Sequence, residues 1–218
     1  MNLPQHILNT LPVFEIGQPL EGVIQFFENT SFSHVAVTED GRFVGMLPEN
    51  DLVCFDAEKP ISDFRQSLEV FAVTKETSWL DILEEFSRHE ANILAVVDVQ
   101  QRFQGYYDLN EVVGVFIDTP FFREPGGILV IATGLKDYSF SEIAQIVESN
   151  NTRILGAFIS GMQNDVIQLS MKLGSENLNE VIQTFRRYNY SILFGNNDDQ
   201  FMEDLKQRSD YLDKYLNV

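Results

Sequence analysis

Two stretches of this chain nearly repeat one another, and the repeat constrains the fold more than any other sequence feature. "GRFVGMLPENDL" at residues 41–52 aligns with "QRFQGYYDLNEV" at residues 101–112. The alignment continues upstream, where residues 20–37 match residues 79–96 with one residue less between the two copies. A repeat of this kind indicates one supersecondary unit built twice, with the two units completing a shared core.

Both copies have the same hydrophobic pattern. Apolar residues at helical spacing predict a helix, which is followed by a strand, "HVAVTED" or "ILAVVDV". After a turn come a second short strand and a second helix, which is expected to begin near Pro48 or Asp108. The predicted unit is therefore helix, strand, strand, helix. The apolar helix positions are Val23, Ile24 and Phe27 in copy one and Ile82, Leu83 and Phe86 in copy two.

These units resemble the cystathionine-beta-synthase (CBS) domain, tandem pairs of which bind adenosine-type ligands in many regulatory proteins. The resemblance places a CBS pair at residues 1–122, with copies at about 12–58 and 68–120 and leading strands "VFEIG" and "VFAVTK". It implies a motif of Gly, two apolar residues, Thr or Ser, two variable residues and Asp. The hydroxyl of that motif lies near phosphate, and the carboxylate lies near the ribose hydroxyls.

In copy one the positions of this motif are Gly45, Pro48 and Asp51. Pro48 has neither a hydroxyl nor a backbone N–H, so it does not suit a phosphate tail. Asp51 keeps the acceptor that ribose needs. It suits equally well a helix start, where negative charge is favourable. Copy one is the better candidate, and both roles of Asp51 stay open.

In copy two the corresponding residues are Gly105, Asp108 and Glu111. Asp108 puts a carboxylate where a phosphate-binding copy has a small hydroxyl, and Glu111 is one methylene longer than the ribose-binding Asp. Both residues also suit the first turn of a helix, which is the favoured interpretation.

A second domain is expected at residues 126–195, after the breaker cluster "REPGG". "GILVIATG", "RILGAFISGMQ", residues 166–173 and "SILFG" read as strands. "SFSEIAQIVESN" and "LNEVIQTFRRYNY" read as helices. The order βαββαβ is the ferredoxin-like arrangement. The chain as a whole is therefore predicted to be α+β, a mixture of helices and strands.

This second domain resembles the ACT domain, a regulatory module that usually binds amino acids at dimer interfaces. The loop "GLKDYSFSEI" keeps Asp137 but lacks the Pro and Gly of the family. An amino-acid site is therefore not favoured here. Asp137, Ser139 or Ser141 is expected to cap the following helix. The combined architecture resembles the acetoin-utilisation CBS/ACT proteins.

The last segment, residues 198–218, has apolar residues at spacings that predict an amphipathic helix with one interruption. Two positions for this helix stay open, on its own domain or on a partner subunit. The stripe consists of Phe201, Leu205, Leu212 and Tyr215, interrupted by Arg208.

The composition and the residue patterns disfavour several kinds of partner and site. Fifteen basic against 33 acidic residues give a net charge of −18, which disfavours nucleic acid and anionic membranes as partners. No apolar run is long enough for a membrane span, and the N-terminus does not resemble a signal peptide, so a cytoplasmic location is the expectation. Cys54 is the single cysteine, and His6, His34 and His89 are scattered, which disfavours a metal site.

No catalytic motif is present, so we do not expect an enzyme. The leading hypothesis is a homodimeric sensor that binds AMP, ATP or S-adenosylmethionine through its CBS pair and couples binding to the ACT-like domain and a regulated enzyme. One alternative is a dimeric interaction module without a ligand. A less favoured alternative is an accessory protein or enzyme of acetoin or short-chain carbon metabolism.

Overall fold

A computed structural model describes residues 3–54 and 56–195 of the chain, which divides into two compact units after Asp118. The side chain of Asp51 and the predicted helix at 198–218 lie outside the described part. Helices and strands alternate in both units, which confirms the predicted mixed α+β class.

Copy one folds as a three-stranded sheet with one α-helix on it. The elements are β1 Phe14–Glu15, α1 Glu21–Glu28, β2 His34–Glu39, β3 Arg42–Pro48 and a 3-10 helix Glu49–Cys54. β1 pairs in parallel with β2, and β2 pairs antiparallel with β3. Val23, Phe26 and Phe27 of α1 pack against Val35 and Leu47 of the sheet.

The last helix of copy one begins next to the predicted position, near Pro48, but it is a 3-10 helix. Pro48 ends β3 opposite His34 and does not open a helix. The helix begins at Glu49, whose backbone N–H donates to the carbonyl of Ser33 at 2.9 Å. That bond extends the pairing of β3 with β2 past Pro48, so Pro48 stays in the strand. The helix that follows is a 3-10 helix and not an α-helix.

Copy two has the predicted order of helix, strand, strand, helix. Ser78 caps its first helix by accepting from the backbone N–H of Asp81, and Val73 pairs in parallel with Val96, as β1 pairs with β2 in copy one. Ile82 and Phe86 are the buried residues of that helix. The elements are α2 Trp79–Arg88, β4 Ile93–Val97, β5 Phe103–Asp108 and α3 Leu109–Ile117.

Each copy is crossed by the segment that precedes the leading strand of the other copy. Leu8, before "VFEIG", exchanges two backbone hydrogen bonds with Tyr106 of copy two. Glu69, directly before "VFAVTK", exchanges two with Met46 of copy one, both at 2.8 Å. Tyr106 and Met46 occupy equivalent positions of the repeat. The two copies are therefore joined reciprocally around an approximate two-fold axis.

The second unit begins with a short helix and continues with four strands and two helices. The elements are α4 Pro120–Arg123, β6 Gly127–Gly134, α5 Phe140–Ser149, β7 Ile154–Gln163, β8 Val166–Leu173, α6 Leu178–Arg187 and β9 Ser191–Phe194. The strands form one antiparallel sheet in the order β7-β8-β6-β9, which is the ferredoxin-like order. Leu129 and Ile131 of β6 and Leu169 and Met171 of β8 belong to the core that also contains the buried faces of α5 and α6.

Candidate binding cleft

A cleft of about 430 Å³ opens between the two copies of the first unit. One wall comes from copy one, where β2 begins and β3 ends, and the other comes from the end of α2 in copy two. A ligand in this cleft would therefore contact both copies at once. The cleft is lined by Ser33, His34, Pro48, Glu49, Asn50, Glu69, Arg88, His89 and Glu90.

The wall around Ser33 is held by a residue of the other copy. Asn92 Oδ1 accepts from the backbone N–H of Ser33 at 2.8 Å and from its hydroxyl at 3.1 Å. The backbone N–H of Asn92 donates back to Ser33 Oγ at 3.0 Å. These bonds hold the start of β2, and with it His34, in place before any ligand binds.

The two lining histidines, His34 and His89, both pack on the ring of Phe71, a buried residue that does not itself line the cleft. His89, the C-cap of α2, stacks on Phe71 with ring centroids 4.0 Å apart, and Phe71 meets the ring of His34 edge to face at 5.3 Å. Glu69 Oε2 lies 3.8 Å from both His34 Nε2 and His89 Nδ1. The crossing segment that contains Glu69 and Phe71 thus brings the two histidines together.

Burial lowers the pKa of His34, which is 5% exposed. Glu69 opposes this effect by favouring the imidazolium form, whereas His89 adds to it. The net direction is downward, so the His34 ring is held neutral at pH 7. A neutral imidazole can donate a hydrogen bond through one nitrogen and accept one through the other.

The charge of the lining is mostly negative. Glu49, Glu69 and Glu90 supply carboxylates, and Arg88 is the permanent cation among the lining residues. The guanidinium of Arg88 is bound by Glu84 and Glu85 on its own helix. Because its charge is compensated there, Arg88 offers little attraction to a polyanion. This arrangement suits a neutral or cationic ligand better than a triphosphate.

The motif residues of copy one lie in different places. Pro48 lines the cleft, together with its neighbour Asn50. Gly45 is buried in β3 beneath the crossing segment, where a Cβ would lie 2.9 Å from Leu68 Cβ. It permits close packing of two backbones and is not among the lining residues. The backbone of Asp51 belongs to the 3-10 helix next to the cleft, and its side chain is outside the described part.

The motif residues of copy two do not line this cleft. Asp108 is the N-cap of α3, and its carboxylate accepts from the backbone N–H of Asn110 at 2.7 Å. Glu111 Oε2 lies 3.2 Å from His6 Nδ1 at an exposed position. Gly105 has a φ of +134° and packs against residues 7–9. These contacts give all three residues structural partners.

Two of the three scattered histidines lie at this cleft. His34 opens β2 and His89 ends α2, and both are lining residues. The repeat could have pointed to this wall, because Ser33, which lines the cleft, and Asn92, which binds Ser33, are aligned positions. Glu69 carried no such signal, since it lies at the start of copy two, before the leading strand "VFAVTK".

The loop before α5 in the second unit has the predicted capping role. Ser139 is the N-cap of α5, and its hydroxyl accepts from the backbone N–H of Glu142 at 3.3 Å. Asp137 Oδ2 lies close to Gly134, where an added Cβ would be 3.2 Å from that oxygen.

The geometry of the first unit agrees with a comparison to known families. Residues 8–58 match the family model of the CBS domain. The match covers copy one and includes Gly45, Pro48 and Asp51 of the predicted motif. The matched segment supplies one wall of the cleft. No curated protein shows significant sequence similarity to this chain.

Several solved structures are similar to a little over half of the chain. A CBS domain pair/ACT domain protein from Thermotoga maritima has 20% identity and a TM-score of 0.49, over 54% of this chain and 98% of that one. The CBS domains of a transcriptional regulator from Streptococcus pneumoniae have 13% identity and a TM-score of 0.47, over 52% and 98%. The CBS domain of a bacterial CNNM/CorC family Mg²⁺ transporter in complex with ATP has 17% identity and a TM-score of 0.43, over 53% and 87%.

The described residues contain neither a membrane-spanning helix nor a cluster of metal ligands. Across residues 3–54 and 56–195, no helix has the length and apolar character that a bilayer span requires. Within the same residues, no group of three or more His, Cys, Asp or Glu side chains is placed to hold a metal ion.

Proposed function

We propose that the first unit is a regulatory module that binds an adenosine-containing ligand in the cleft between its two copies. The observation that carries this proposal is that both copies line one cleft of about 430 Å³. This volume lies within the usual range for small-molecule sites. Pro48 and Asn50 come from the CBS motif of copy one, whereas Arg88 and His89 come from copy two.

The proposed mechanism is a shift of population. A ligand that contacts both walls stabilises one relative arrangement of the two copies, because it binds that arrangement more tightly than others. We propose that the ACT-like second unit transmits this change to a regulated enzyme, and that the protein acts as a cytoplasmic homodimer. Sedimentation of the full chain with and without ligand tests the dimer.

The charges of the cleft support a ranking among adenosine compounds. Pro48 has no N–H to offer a phosphate, and Glu49, Glu69 and Glu90 repel one. A sulfonium or ammonium group would instead be attracted. We therefore expect S-adenosylmethionine or adenosine to bind better than AMP, and ATP to bind least well.

A thermal-shift series with adenosine, AMP, ATP and S-adenosylmethionine tests this proposal, because a ligand of the native state raises the unfolding midpoint. Asn50→Ala in the cleft is expected to reduce the rise. Asn110→Ala provides a matched control, since Asn110 is the aligned residue of copy two and does not line the cleft. Asp51→Ala and Glu111→Ala form a second pair that tests which carboxylate contacts ribose.

The absence of a midpoint shift with all four compounds would overturn the adenosine proposal. It would favour the alternative of a ligand-free dimeric interaction module. That alternative rests on Asp108, whose carboxylate is used to cap α3, and on Pro48, which has no hydroxyl.

A further inference from the structure

One face of the sheet in the second unit carries exposed apolar side chains. The helices α5 and α6 cover the other face, where Leu129, Ile131, Leu169 and Met171 are buried. On the uncovered side the strand register aligns Phe194, Val130, Ser170 and Phe158 across all four strands. We call Ile128, Val130, Phe158 and Phe194 the open face.

The exposure of these residues is large for apolar side chains. Phe194 is 60% exposed, Phe158 is 55% exposed and Ile128 is 39% exposed. Apolar residues exposed together on one side of a sheet, here flanking the β8 residues Ser170 and Lys172, indicate a surface that another segment or protein covers. Scattered single residues would need no such explanation, but these three lie with Val130 on one side of one sheet.

The short helix α4 packs on the same side of the sheet, at its β7 edge. Phe121 of α4 lies over β7, where a Cβ on Gly156 would be 2.3 Å from the Phe121 ring. The Phe121 ring also meets Phe158 with centroids 6.4 Å apart, and Lys172 Nζ donates to the carbonyl of Phe122 at 3.2 Å. The α4 contacts lie on the β7 side, and the open face continues across β6 to β9.

The chain leaves the sheet beside the open face. β9 is an edge strand, and its last residue, Phe194, pairs with Val130 near the middle of β6. Residues 196–218 follow immediately and lie outside the described part. The predicted helix at 198–218 would be about 31 Å long at 1.5 Å per residue. An eight-residue strand such as β6 spans about 26 Å, so this helix is long enough to lie along it.

The apolar stripe of that segment matches the open face in chemistry. Phe201, Leu205, Leu212 and Tyr215 fall on one side of the predicted helix. We propose that residues 198–218 form an amphipathic helix that packs with this stripe on the open face of its own chain. The short connection from Gly195 gives the segment a high effective concentration at this surface compared with a second molecule.

Disulfide cross-linking of the full chain tests this proposal, with Cys54 replaced by Ser to remove the native thiol. We expect Val130→Cys with Leu205→Cys to form a cross-link within one chain at least about tenfold faster than Val130→Cys with Gln207→Cys. Gln207 is the matched control, because two residues further along a helix is close to the opposite side. Cross-links that form in both pairs at equal rates would overturn the proposal.

The mass of the cross-linked product identifies the occupant. A product of monomer mass supports packing within one chain. A product of dimer mass would show that the segment covers the sheet of a second copy, which overturns the proposal as stated.

A second measurement covers the case in which a different register prevents the cross-link. Leu205→Asp is expected to lower the unfolding midpoint of the full chain by several degrees, and Gln207→Asp is expected to leave it unchanged. Phe158→Ala and Leu205→Ala should also be non-additive, since they remove the same contact. Additive effects, or equal effects of the two Asp variants, would show that the stripe does not pack on the open face.

Discussion

Ser33 and Asn92 occupy the same position in the two copies of the repeat, and each donates its backbone N–H to the side chain of the other. The symmetry extends to the first residue of the second helix in each copy. The carbonyl of Ser33 accepts from Glu49 N–H at 2.9 Å, and the carbonyl of Asn92 accepts from Leu109 N–H at 3.0 Å. One pair of aligned residues thus ties both copies together and fixes the helix start of each.

Asn92→Ala is expected to destabilise the first unit by about 1–3 kcal/mol, because it leaves two donors of Ser33 without their acceptor. The measurement is chemical denaturation of the full chain. Asn110→Ala is the control, and its effect should stay within about 0.5 kcal/mol, since Asn110 is exposed. Similar losses in the two variants would contradict a special role for the Ser33–Asn92 contact.

Tyr106 and Tyr107 are adjacent, fully buried residues with opposite hydrogen-bonding situations. Tyr106 Oη donates to the carbonyl of Pro12 at 2.7 Å and accepts from Ala36 N–H at 2.9 Å, which joins β5 to copy one. Tyr107 Oη has no hydrogen-bond partner within the part of the chain that the structure describes. Burial raises the pKa of both phenols, so both are neutral at pH 7.

Removing each hydroxyl should therefore have different consequences. We expect Tyr106→Phe to lower the free energy of unfolding by about 1–3 kcal/mol, since two buried partners lose a hydrogen bond. Tyr107→Phe removes a buried hydroxyl that makes no bond, so its effect should be neutral or slightly stabilising. Each variant is the control for the other in urea denaturation. Equal destabilisation by both would show that Tyr107 Oη has a partner in solution.

Gly105 is expected to be the least replaceable glycine of the first unit. Its φ of +134° is unfavourable for other residues, and an added Cβ would lie 2.4 Å from Asn9 Oδ1 and 2.7 Å from the carbonyl of Leu8. Gly105→Ala should therefore push the crossing segment off β5 and destabilise by more than about 2 kcal/mol. The thermal unfolding midpoint measures this loss.

Gly114 gives the matched control for that substitution. It lies inside α3, and a Cβ there would meet nothing within 4 Å. Gly114→Ala should stabilise the protein by about 0.5–1 kcal/mol, because Ala has the higher helix propensity. If Gly105→Ala were tolerated as well as Gly114→Ala, the crossing segment would not be packed on β5 in solution.

The sequence predicted the repeated unit because its signals are local. Helical spacing in α2 and alternation in β8 come from the contact of one element with one core face, and that contact leaves a periodic pattern. Ile82, Phe86 and Met171 are buried as the pattern requires. The exception was Pro48, where the bond from Glu49 N–H to the Ser33 carbonyl decides where the strand ends.

The cleft was only partly predictable, because three separate segments build it. Pro48 came from a motif, but Glu69 and Phe71 lie in a crossing segment that pairs through single bridges rather than a full strand. His89 enters by stacking on Phe71 at the end of α2. Contacts of this kind depend on tertiary geometry and leave no period in the sequence.

His34 should make stability depend on pH in the acidic range. Burial lowers the pKa of His34 in the folded protein below its value of about 6.5 in the unfolded chain. Between those two values the unfolded chain binds more protons, so the free energy of unfolding falls as pH falls from about 6.5. Above that pH both states have a neutral ring, and His34 contributes no pH dependence.

Urea denaturation between pH 5 and 8 measures this effect in the wild-type chain and in His34→Gln. The wild-type chain should lose stability more steeply below about pH 6.5 than the variant, because Gln has no proton to gain. The Glu69→Gln variant should lose stability more steeply than the wild-type chain, since Glu69 is the group that opposes the lowering of the His34 pKa. Parallel curves for all three proteins would mean that His34 titrates as in the unfolded chain, and that the ring is not held neutral in the cleft.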